Sequence, residues 1–416
     1  MKIKYFVYLL IVAGFGYLYW LSQNMYVDFE KIEASAMEGD RDSQRKIGLI
    51  YYEGKILARN YPKAFEWMKK AYDQGERDPE MVCNLGFCYF TGLGCESDPE
   101  MTFKLFQESA DKKFPKAIFN LATCYSAGFG TNEDITMAQD LFNKAAEYNY
   151  SPAMIAIADS HLNGIGTEQN NEKGYEYLKK AADLDDAEAQ FRLCTLLKNG
   201  IGTEKSSEKA LFWLKKSADQ NYSMACQELG LNYFRGSGVE KNHKAAFEYF
   251  NKGAEDNIQS RLSMGACYQN GFGVEKNIEK AFQCYSDASQ KYDARGLFAQ
   301  GMCYFQGIGT AKDETRAFQI FQDSASRSYG PAASILGYCH LNGIGTAQNI
   351  ESAKRWLQIG LMQNDSLAMN ILSKCNAQGL GVDKNPEKAD AFKEMAAISS
   401  GMKDANDNFS LLFLAN

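Results

Sequence analysis

Histidine and cysteine are the residues of this sequence best suited to catalysis or metal binding, but they are not spaced as such sites require. The chain of 416 residues contains three histidines and eleven cysteines. Their spacing includes no C-x-x-C, H-x-x-x-H or C-x-x-C-H pattern, so it predicts no zinc, redox or haem site. The segment from Gly200 to Ser207 resembles a phosphate loop but lacks the glycine before Lys205, and no strand precedes it. We therefore predict no catalytic residue, no metal and no cofactor.

The positions of these residues point to packing instead. The sequence repeats a unit of about 36 residues, and we expect these units to stack. Equivalent residues in stacked units lie about 9–10 Å apart, whereas a disulfide needs Cα atoms within about 7 Å. We therefore expect most of the cysteines to be buried free thiols. Cys95, just after a glycine turn, is the one expected to be exposed. We expect His161 and His340 to replace tyrosine in the core, and His243 to lie on the surface. Six cysteines share one repeated position: Cys88, Cys124, Cys267, Cys303, Cys339 and Cys375.

The composition indicates a folded protein that is not suited to binding nucleic acid. Hydrophobic residues make up 45% and charged residues 23%, which is typical of a folded chain. The net charge of −7 gives no basic field for phosphate backbones, so nucleic acid is not an expected partner. The length exceeds what one compact core holds, about 250–300 residues. The 35 glycines against seven prolines indicate a recurring turn.

A Gly-x-Gly turn recurs along most of the chain. Seven of the eight intervals between its copies are 36 residues and the other is 35, and a degenerate copy sits at Gly54. Each first glycine is predicted to end a helix in the left-handed conformation. The copies are Gly92/Gly94, Gly128/Gly130, Gly164/Gly166, Gly200/Gly202, Gly236/Gly238, Gly271/Gly273, Gly307/Gly309, Gly343/Gly345 and Gly379/Gly381.

Columns of like residues flank each turn. Ahead of it a small residue, as at Gly86, is followed three positions later by an aromatic one, as at Tyr89. After it an Asn or Asp cap, as at Asp98, precedes an alanine column. A bulky column then follows three positions after the alanine: Trp67, Leu105, Leu141, Tyr177, Trp213, Tyr249, Ile320, Trp356 and Phe392. This spacing predicts helix–turn–helix units stacked as an all-α, right-handed α-solenoid.

The unit resembles a known repeat. The stretch Ala117–Thr131, continuing to Met137–Ala138 and Lys144–Ala146, is similar to the Sel-one-like repeat family, a relative of tetratricopeptide repeats. That resemblance implies a non-enzymatic scaffold or adaptor, and exported bacterial members resemble host-interaction factors or immunity proteins. The ten predicted repeats are 40–77, 78–113, 114–149, 150–185, 186–221, 222–256, 257–292, 293–328, 329–364 and 365–400, between caps at 25–39 and 401–416.

The N-terminal residues 1–24 predict a membrane anchor or a signal peptide. Tyr5 to Leu21 carries no charge, and 17 helical residues span roughly 25 Å. Lys2 and Lys4 precede it, which favours a cytoplasmic N-terminus and an exported repeat domain, on the periplasmic face of a bacterial inner membrane. Cleavage would instead leave a periplasmic or secreted protein.

Residues off the buried columns of the first helices should face a groove. Aromatic, arginine and amide side chains suit the binding of a peptide or another protein there. The alternatives are an immunity-type inhibitor of an exported toxin, or an envelope enzyme acting on cell-wall fragments or β-lactams. Some of the phenylalanines could instead fill gaps between helices. The predicted groove residues are Phe87, Phe90, Phe119, Asn163, Phe191, Asn199, Phe234, Arg235, Asn270, Phe298, Phe305, Tyr338 and Asn342.

Overall fold

In the computed structural model, residues 29–291 and 293–402 are described, and their only regular structure is helical. Helices of almost uniform length alternate as the first and second helix of each repeat. In chain order they are α1 (29–37), α2 (Arg41–Glu53), α3 (Tyr61–Asp73), α4 (Pro79–Thr91), α5 (Pro99–Asp111), α6 (Pro115–Ala127), α7 (Ile135–Glu147), α8 (Ser151–Asn163), α9 (Asn171–Asp183), α10 (Ala187–Asn199), α11 (Ser207–Asp219), α12 (Ser223–Arg235), α13 (His243–Gly253), α14 (Ile258–Asn270), α15 (Ile278–Gln290), α16 (Ala294–Gln306), α17 (Glu314–Ser326), α18 (Gly330–Asn342), α19 (Ile350–Met362), α20 (Ser366–Gln378) and α21 (Pro386–Met402).

The predicted caps set the helix ends. At the start of α5, the Asp98 carboxylate accepts a hydrogen bond from the Met101 backbone N–H, and Asn, Asp or Ser does the same at other second helices. At the end of α4, Gly92 has φ 71°, and its N–H donates to the Cys88 carbonyl. The next N–H, of Leu93, donates to that same carbonyl. The prediction of left-handed glycine caps is confirmed, with φ of 63–79° at all ten first glycines.

Within a repeat, the small column of the first helix receives a bulky residue of the second. A Cβ added to Gly301 would lie 2.6 Å from a ring carbon of Phe321, and one added to Gly86 would lie 3.0 Å from the ring of Phe106. The sequence pattern predicts that Ile320 packs against Gly301. This prediction is wrong by one residue, because Phe321 makes that contact. Ala317 and Phe321 are four positions apart and face the first helix together, whereas Ile320 is only partly buried.

Between repeats, aromatic rings meet edge to face. Tyr304 of one first helix packs on Phe282 of the preceding second helix, with ring centroids 5.6 Å apart and planes at 85°. His340 packs on Phe318 in the same way, at 5.2 Å and 90°. This confirms that His340 takes the place of tyrosine in the packing.

The first glycine of each turn ends a helix, whereas the second lies close to the backbone of the preceding repeat at most turns. A Cβ on Gly273 would lie 2.0 Å from the carbonyl oxygen of His243, the first residue of the preceding second helix. Gly130 stands in the same relation to the Pro99 carbonyl oxygen, also at 2.0 Å. Gly238 differs, because a Cβ there would meet nothing within 4 Å. The absent side chain therefore allows close backbone contact between neighbouring repeats at most turns.

The described residues divide into two compact units. The first contains residues 29–189 and 199–205, and the second contains residues 190–198, 206–291 and 293–402. In the first unit, α1 buries Phe29 and Ala36 against the first repeat, and Phe29 meets Tyr51 at 6.1 Å. In the second, α21 continues through Gly401 to Met402, the first two residues of the predicted C-terminal cap.

Two predicted segments lie outside the described residues. These are the apolar stretch from Tyr5 to Leu21 and most of the C-terminal cap, residues 403–416. Among the helices that are described, none combines the length and apolar character needed to cross a bilayer.

Candidate functional site

An open cavity of about 770 Å³ lies in the second unit, along the first helices of repeats eight, nine and ten. We call it the repeat 8–10 groove. Its walls come from α16, α18 and α20, together with the start of α19 and the turn that follows α20. The lining residues are Met302, Phe305, Gln306, Ile335, Tyr338, Leu341, Asn342, Gln348, Ile350, Leu367, Asn370, Ile371, Lys374, Cys375, Gln378, Gly379, Leu380 and Gly381.

Three of the predicted groove residues come together here. Phe305, Tyr338 and Asn342 all line the cavity. Tyr338 is 38% exposed and Leu380 is 50% exposed, so large apolar surface faces solvent at both walls. An exposed apolar surface with polar groups at its rim is typical of a binding surface.

Other lining residues were not predicted, although the repeat register contains the signal for them. Lys374 occupies the position of Tyr338 one repeat later, and Gln378 likewise follows Asn342 by 36 residues. Ile335 and Ile371 form a third such pair, on the same face of successive first helices. Carrying the groove columns into the tenth repeat would have found them.

The amide groups at the rim differ in how they are used. The Asn342 Nδ2 donates to the Tyr338 carbonyl at 2.8 Å, and the Gln348 Nε2 donates to the Leu341 carbonyl at 2.7 Å. The side chains of Gln306 and Gln378 are exposed and make no hydrogen bond to any described residue. The rim can therefore both donate to and accept from a bound backbone.

Among the described residues that line the groove, Lys374 is the only one with a formal charge. It is exposed, and its ammonium forms no ion pair or hydrogen bond within residues 29–291 and 293–402. Some other lysines of the repeats are paired along their own helix, as Lys354 is with Glu351 at 2.9 Å. Lys374 thus presents an unpaired positive charge inside a largely apolar groove.

The other predicted residues of the second unit lie elsewhere. Phe298 is only 2% exposed and packs in the core, with its ring centroid 5.7 Å from that of Phe321, so its assignment to an open groove is wrong. Phe191 packs on Tyr222 at 5.6 Å, while Arg235 is exposed at the end of α12. The side chain of Asn270 is tied back to the Ala266 carbonyl.

His243 is another correction. It lies between two aromatic rings, stacked on Phe234 at 4.9 Å and edge-on to Phe272 at 5.1 Å, rather than on the open surface. Burial, with a smaller effect from Lys241, lowers the pKa of His243. Phe272, which follows a glycine in the turn of the next repeat, packs over the ring of His243 and shields it from solvent.

In the first unit the predicted phenylalanines are half-buried. Phe90 packs against Phe129 at 5.0 Å and Phe87 lies beside it at 6.3 Å, whereas Phe119 packs on Tyr150 at 5.5 Å. These rings act partly as gap fillers between successive helices. The two predicted asparagines of this unit, Asn163 and Asn199, are exposed at the ends of their helices.

A cavity of similar volume, about 750 Å³, lies at the turns of repeats two and three. It is lined by Cys95, Glu96, Asp98, Glu100 and neighbouring turn residues. Its walls are turn backbone and carboxylates rather than the apolar faces of first helices. It offers less surface for a bound chain than the repeat 8–10 groove does.

Most of the cysteines are buried, and burial lowers the reactivity of their thiols. All eleven cysteines are free thiols, and only Cys95 is not fully buried. Burial raises the pKa of Cys88 to about 12 and that of Cys375 above its ordinary value, which keeps these thiols protonated. The described part of the chain contains no cluster of three His, Cys, Asp or Glu side chains that could hold a metal ion.

Comparison with known families decides what this architecture is. The model of the Sel1 repeat matches residues 41–76, 79–114, 115–149, 151–186, 187–222, 223–257, 259–293, 294–329, 330–365 and 366–393. The chain belongs to the Sel1 repeat family. The resemblance drawn from the repeated columns is confirmed, with ten copies.

Solved structures give the same picture. The protective antigen c5321 of uropathogenic Escherichia coli strains, which displays an SLR fold, is 25% identical. The match covers 92% of this chain and 84% of that one, with a TM-score of 0.61. A Sel1 repeat protein from Oxalobacter formigenes is 30% identical, covers 58% of this chain and 96% of its own, and has a TM-score of 0.54.

A curated relative matches over a short stretch. The ERAD-associated E3 ubiquitin-protein ligase component HRD3A of Arabidopsis thaliana is 41% identical over 68 residues. That stretch is 16% of this chain and 10% of HRD3A. The chain thus spans about a tenth of that relative's length.

Proposed function

We propose that this Sel1 repeat protein is a non-catalytic scaffold that binds a segment of another protein in the repeat 8–10 groove. The observation that supports the proposal is the groove itself. It combines the exposed Tyr338 and Leu380 with unpaired amides and one unpaired cation, on the first helices of three consecutive repeats and the turn that follows the last of them. Its volume of about 770 Å³ suits a short stretch of chain rather than a folded domain.

The chemistry of the lining favours binding over catalysis. A nucleophile or general base needs a partner that orients or activates it, and acid–base work needs a group that titrates near neutral pH. The groove offers Lys374 and the buried Cys375 as its titratable side chains besides Tyr338. Apolar and aromatic side chains with amides around them are instead the features of interface hot spots.

The proposal is tested by partner capture with matched surface variants of the full chain. The groove variant is Tyr338→Ala with Leu380→Ala. The control is Phe212→Ala with Met224→Ala, which removes two apolar side chains that are 52% and 49% exposed outside the groove. All four are exposed, so we expect each pair to change stability by no more than about 1 kcal/mol.

The readout is quantitative mass spectrometry after crosslinking in native membranes. We expect one stoichiometric protein to be captured by the natural chain and the control, and to be lost from the groove variant. A partner retained in full by the groove variant would contradict the proposal. If the captured protein is a toxic hydrolase, the scaffold is an immunity protein. If cell-wall fragments or β-lactams bind the groove and are turned over, the non-catalytic assignment is wrong.

We further propose that residues 1–24 tether the repeats to a membrane, with the repeats on the exported side. The uncharged stretch from Tyr5 to Leu21 and the preceding Lys2 and Lys4 support this orientation. Alkaline extraction of membranes should leave the full chain in the pellet and release a chain that starts at residue 25. Protease added to intact spheroplasts should then digest the repeats. Repeats that resist protease, or a full chain released by alkali, would overturn the tether.

A further inference from the structure

Four consecutive repeats place a carboxamide at the same position, the last residue of the first helix. These residues are Asn270, Gln306, Asn342 and Gln378, separated by intervals of 36 residues. The last three line the repeat 8–10 groove. A carboxamide has two N–H donors and an acceptor oxygen, so it can bind a peptide group of a bound backbone on both sides.

The spacing of the carboxamides selects the conformation of the ligand. The helices α18 and α20 are in direct contact, and directly packed helices generally lie about 8–10 Å apart, so we take this distance as the step between carboxamides of neighbouring repeats. A polyproline II segment rises about 3.1 Å per residue with three residues per turn, so equivalent positions recur about every 9.3 Å. A β-strand covers a similar distance in three residues but turns every third side chain to the opposite face. Of these two extended conformations, the polyproline II form is the one that presents the same face to each repeat.

The positive charge of Lys374 predicts an acidic residue in the ligand. Lys374 stands one repeat after Tyr338, at the equivalent position of the first helix. It is the only charged lining residue and has no acidic partner among the described residues, although the whole chain carries a net charge of −7. A carboxylate on the ligand would complement it, because an opposite charge in a partly apolar site gives specificity.

We propose that the ligand is an internal protein segment in polyproline II conformation, with apolar residues every third position and an aspartate or glutamate in that same register. One apolar residue lies against Tyr338 and Phe305, and the acidic residue three positions away pairs with Lys374. The carboxamides of Gln306, Asn342 and Gln378 bind the backbone between them. This inference rests on the proposed function and names the class of segment bound.

The test uses fluorescein-labelled peptides and the full chain in detergent micelles. The first peptide has about twelve residues, capped at both ends, with leucine at every third position, one of these replaced by aspartate, and mainly proline elsewhere. The second has the same composition with the aspartate moved by one position. The third has asparagine for aspartate, and the fourth has lysine. The protein variants are Lys374→Glu and, as a control on the exposed start of α21, Lys388→Glu.

We expect fluorescence anisotropy to show tightest binding for the first peptide, with about a tenfold loss for the second and third. Lys374→Glu should weaken the first peptide by at least as much and strengthen the fourth, whereas Lys388→Glu should change neither. Equal binding of the first and second peptides would overturn the three-residue register. Equal effects of the two charge reversals would overturn the role of Lys374.

Failure of this inference is distinguishable from failure of the proposed function. If none of the four peptides binds while a protein partner is still captured through Tyr338 and Leu380, the ligand class is wrong and the scaffold stands. If the peptides bind but no partner depends on those side chains, the groove has the predicted chemistry without the proposed role.

Discussion

Replacing the second glycine of a turn tests how the repeats pack. We compare Gly273→Ala with Gly238→Ala, since both glycines have φ 72° and both belong to the second unit. Placing alanine in the left-handed region costs each variant about 1 kcal/mol. At Gly273 the new methyl also meets the His243 carbonyl oxygen at 2.0 Å, its carbon at 2.3 Å and the Lys244 nitrogen at 2.6 Å, whereas at Gly238 it meets nothing. These backbone atoms must move by roughly 1 Å or more, which adds about 1–3 kcal/mol of overpacking.

Urea and thermal unfolding followed by circular dichroism measure the difference. In a cooperative unit of about 150–250 residues, 1 kcal/mol corresponds to about 2–4 °C, so the extra cost of about 1–3 kcal/mol should make Gly273→Ala melt about 2–12 °C below Gly238→Ala. Hydrogen exchange should show the loss of protection concentrated at α13 and α14. Equal destabilisation of the two variants would refute the role assigned to the second glycine. A larger effect at Gly238 would also refute it.

Three further predictions concern single side chains. Phe298→Ala should lower the free energy of unfolding by about 3–5 kcal/mol in urea titrations because it empties a core position, while Tyr338→Ala should change it by no more than about 0.5 kcal/mol; similar losses would contradict the assignment of these rings to core and groove. Because burial lowers the pKa of folded His243, the unfolded chain binds the proton first, so its contribution to stability is complete above about pH 6.5 and declines as the pH falls toward the folded-state pKa. His243→Gln should flatten the pH dependence of the urea midpoint in that range, and an unchanged slope would be evidence against this. Iodoacetamide should label Cys95 before any other cysteine of the native chain, since the others are buried and burial raises the pKa of Cys303 to about 12; peptide mass spectrometry that finds Cys303 labelled as fast as Cys95 would contradict the fold.

Much of the fold could be predicted because the same sequence pattern occurs in ten copies. The caps at Asp98 and Gly92 follow from local backbone chemistry, and the structure has both where the sequence predicts them. His340 could be placed in the core because it occupies a tyrosine column. Averaging over ten copies removes the ambiguity that a single helix pair would leave.

What could not be predicted depends on contacts between repeats. The close approach of Gly273 to the His243 carbonyl is set by how two helix pairs stack, which no single repeat records. The same stacking encloses His243 and buries Phe298, two residues whose own helices give no sign of it. The groove was predicted from its aromatic residues, and its cation was missed because Lys374 stands where the ninth repeat has an aromatic one.

The central claim is that a protein segment binds the repeat 8–10 groove, and site-specific photocrosslinking in the native cell tests it most directly. A photoreactive amino acid is placed at Tyr338 or at Lys374, and for comparison at Phe212 or at Met362, which is 77% exposed. We predict adducts of one protein at the two groove positions, mapping to a single short segment of it, and no such adduct at the other two. Adducts of that protein at Phe212 and Met362 with none in the groove would contradict the account.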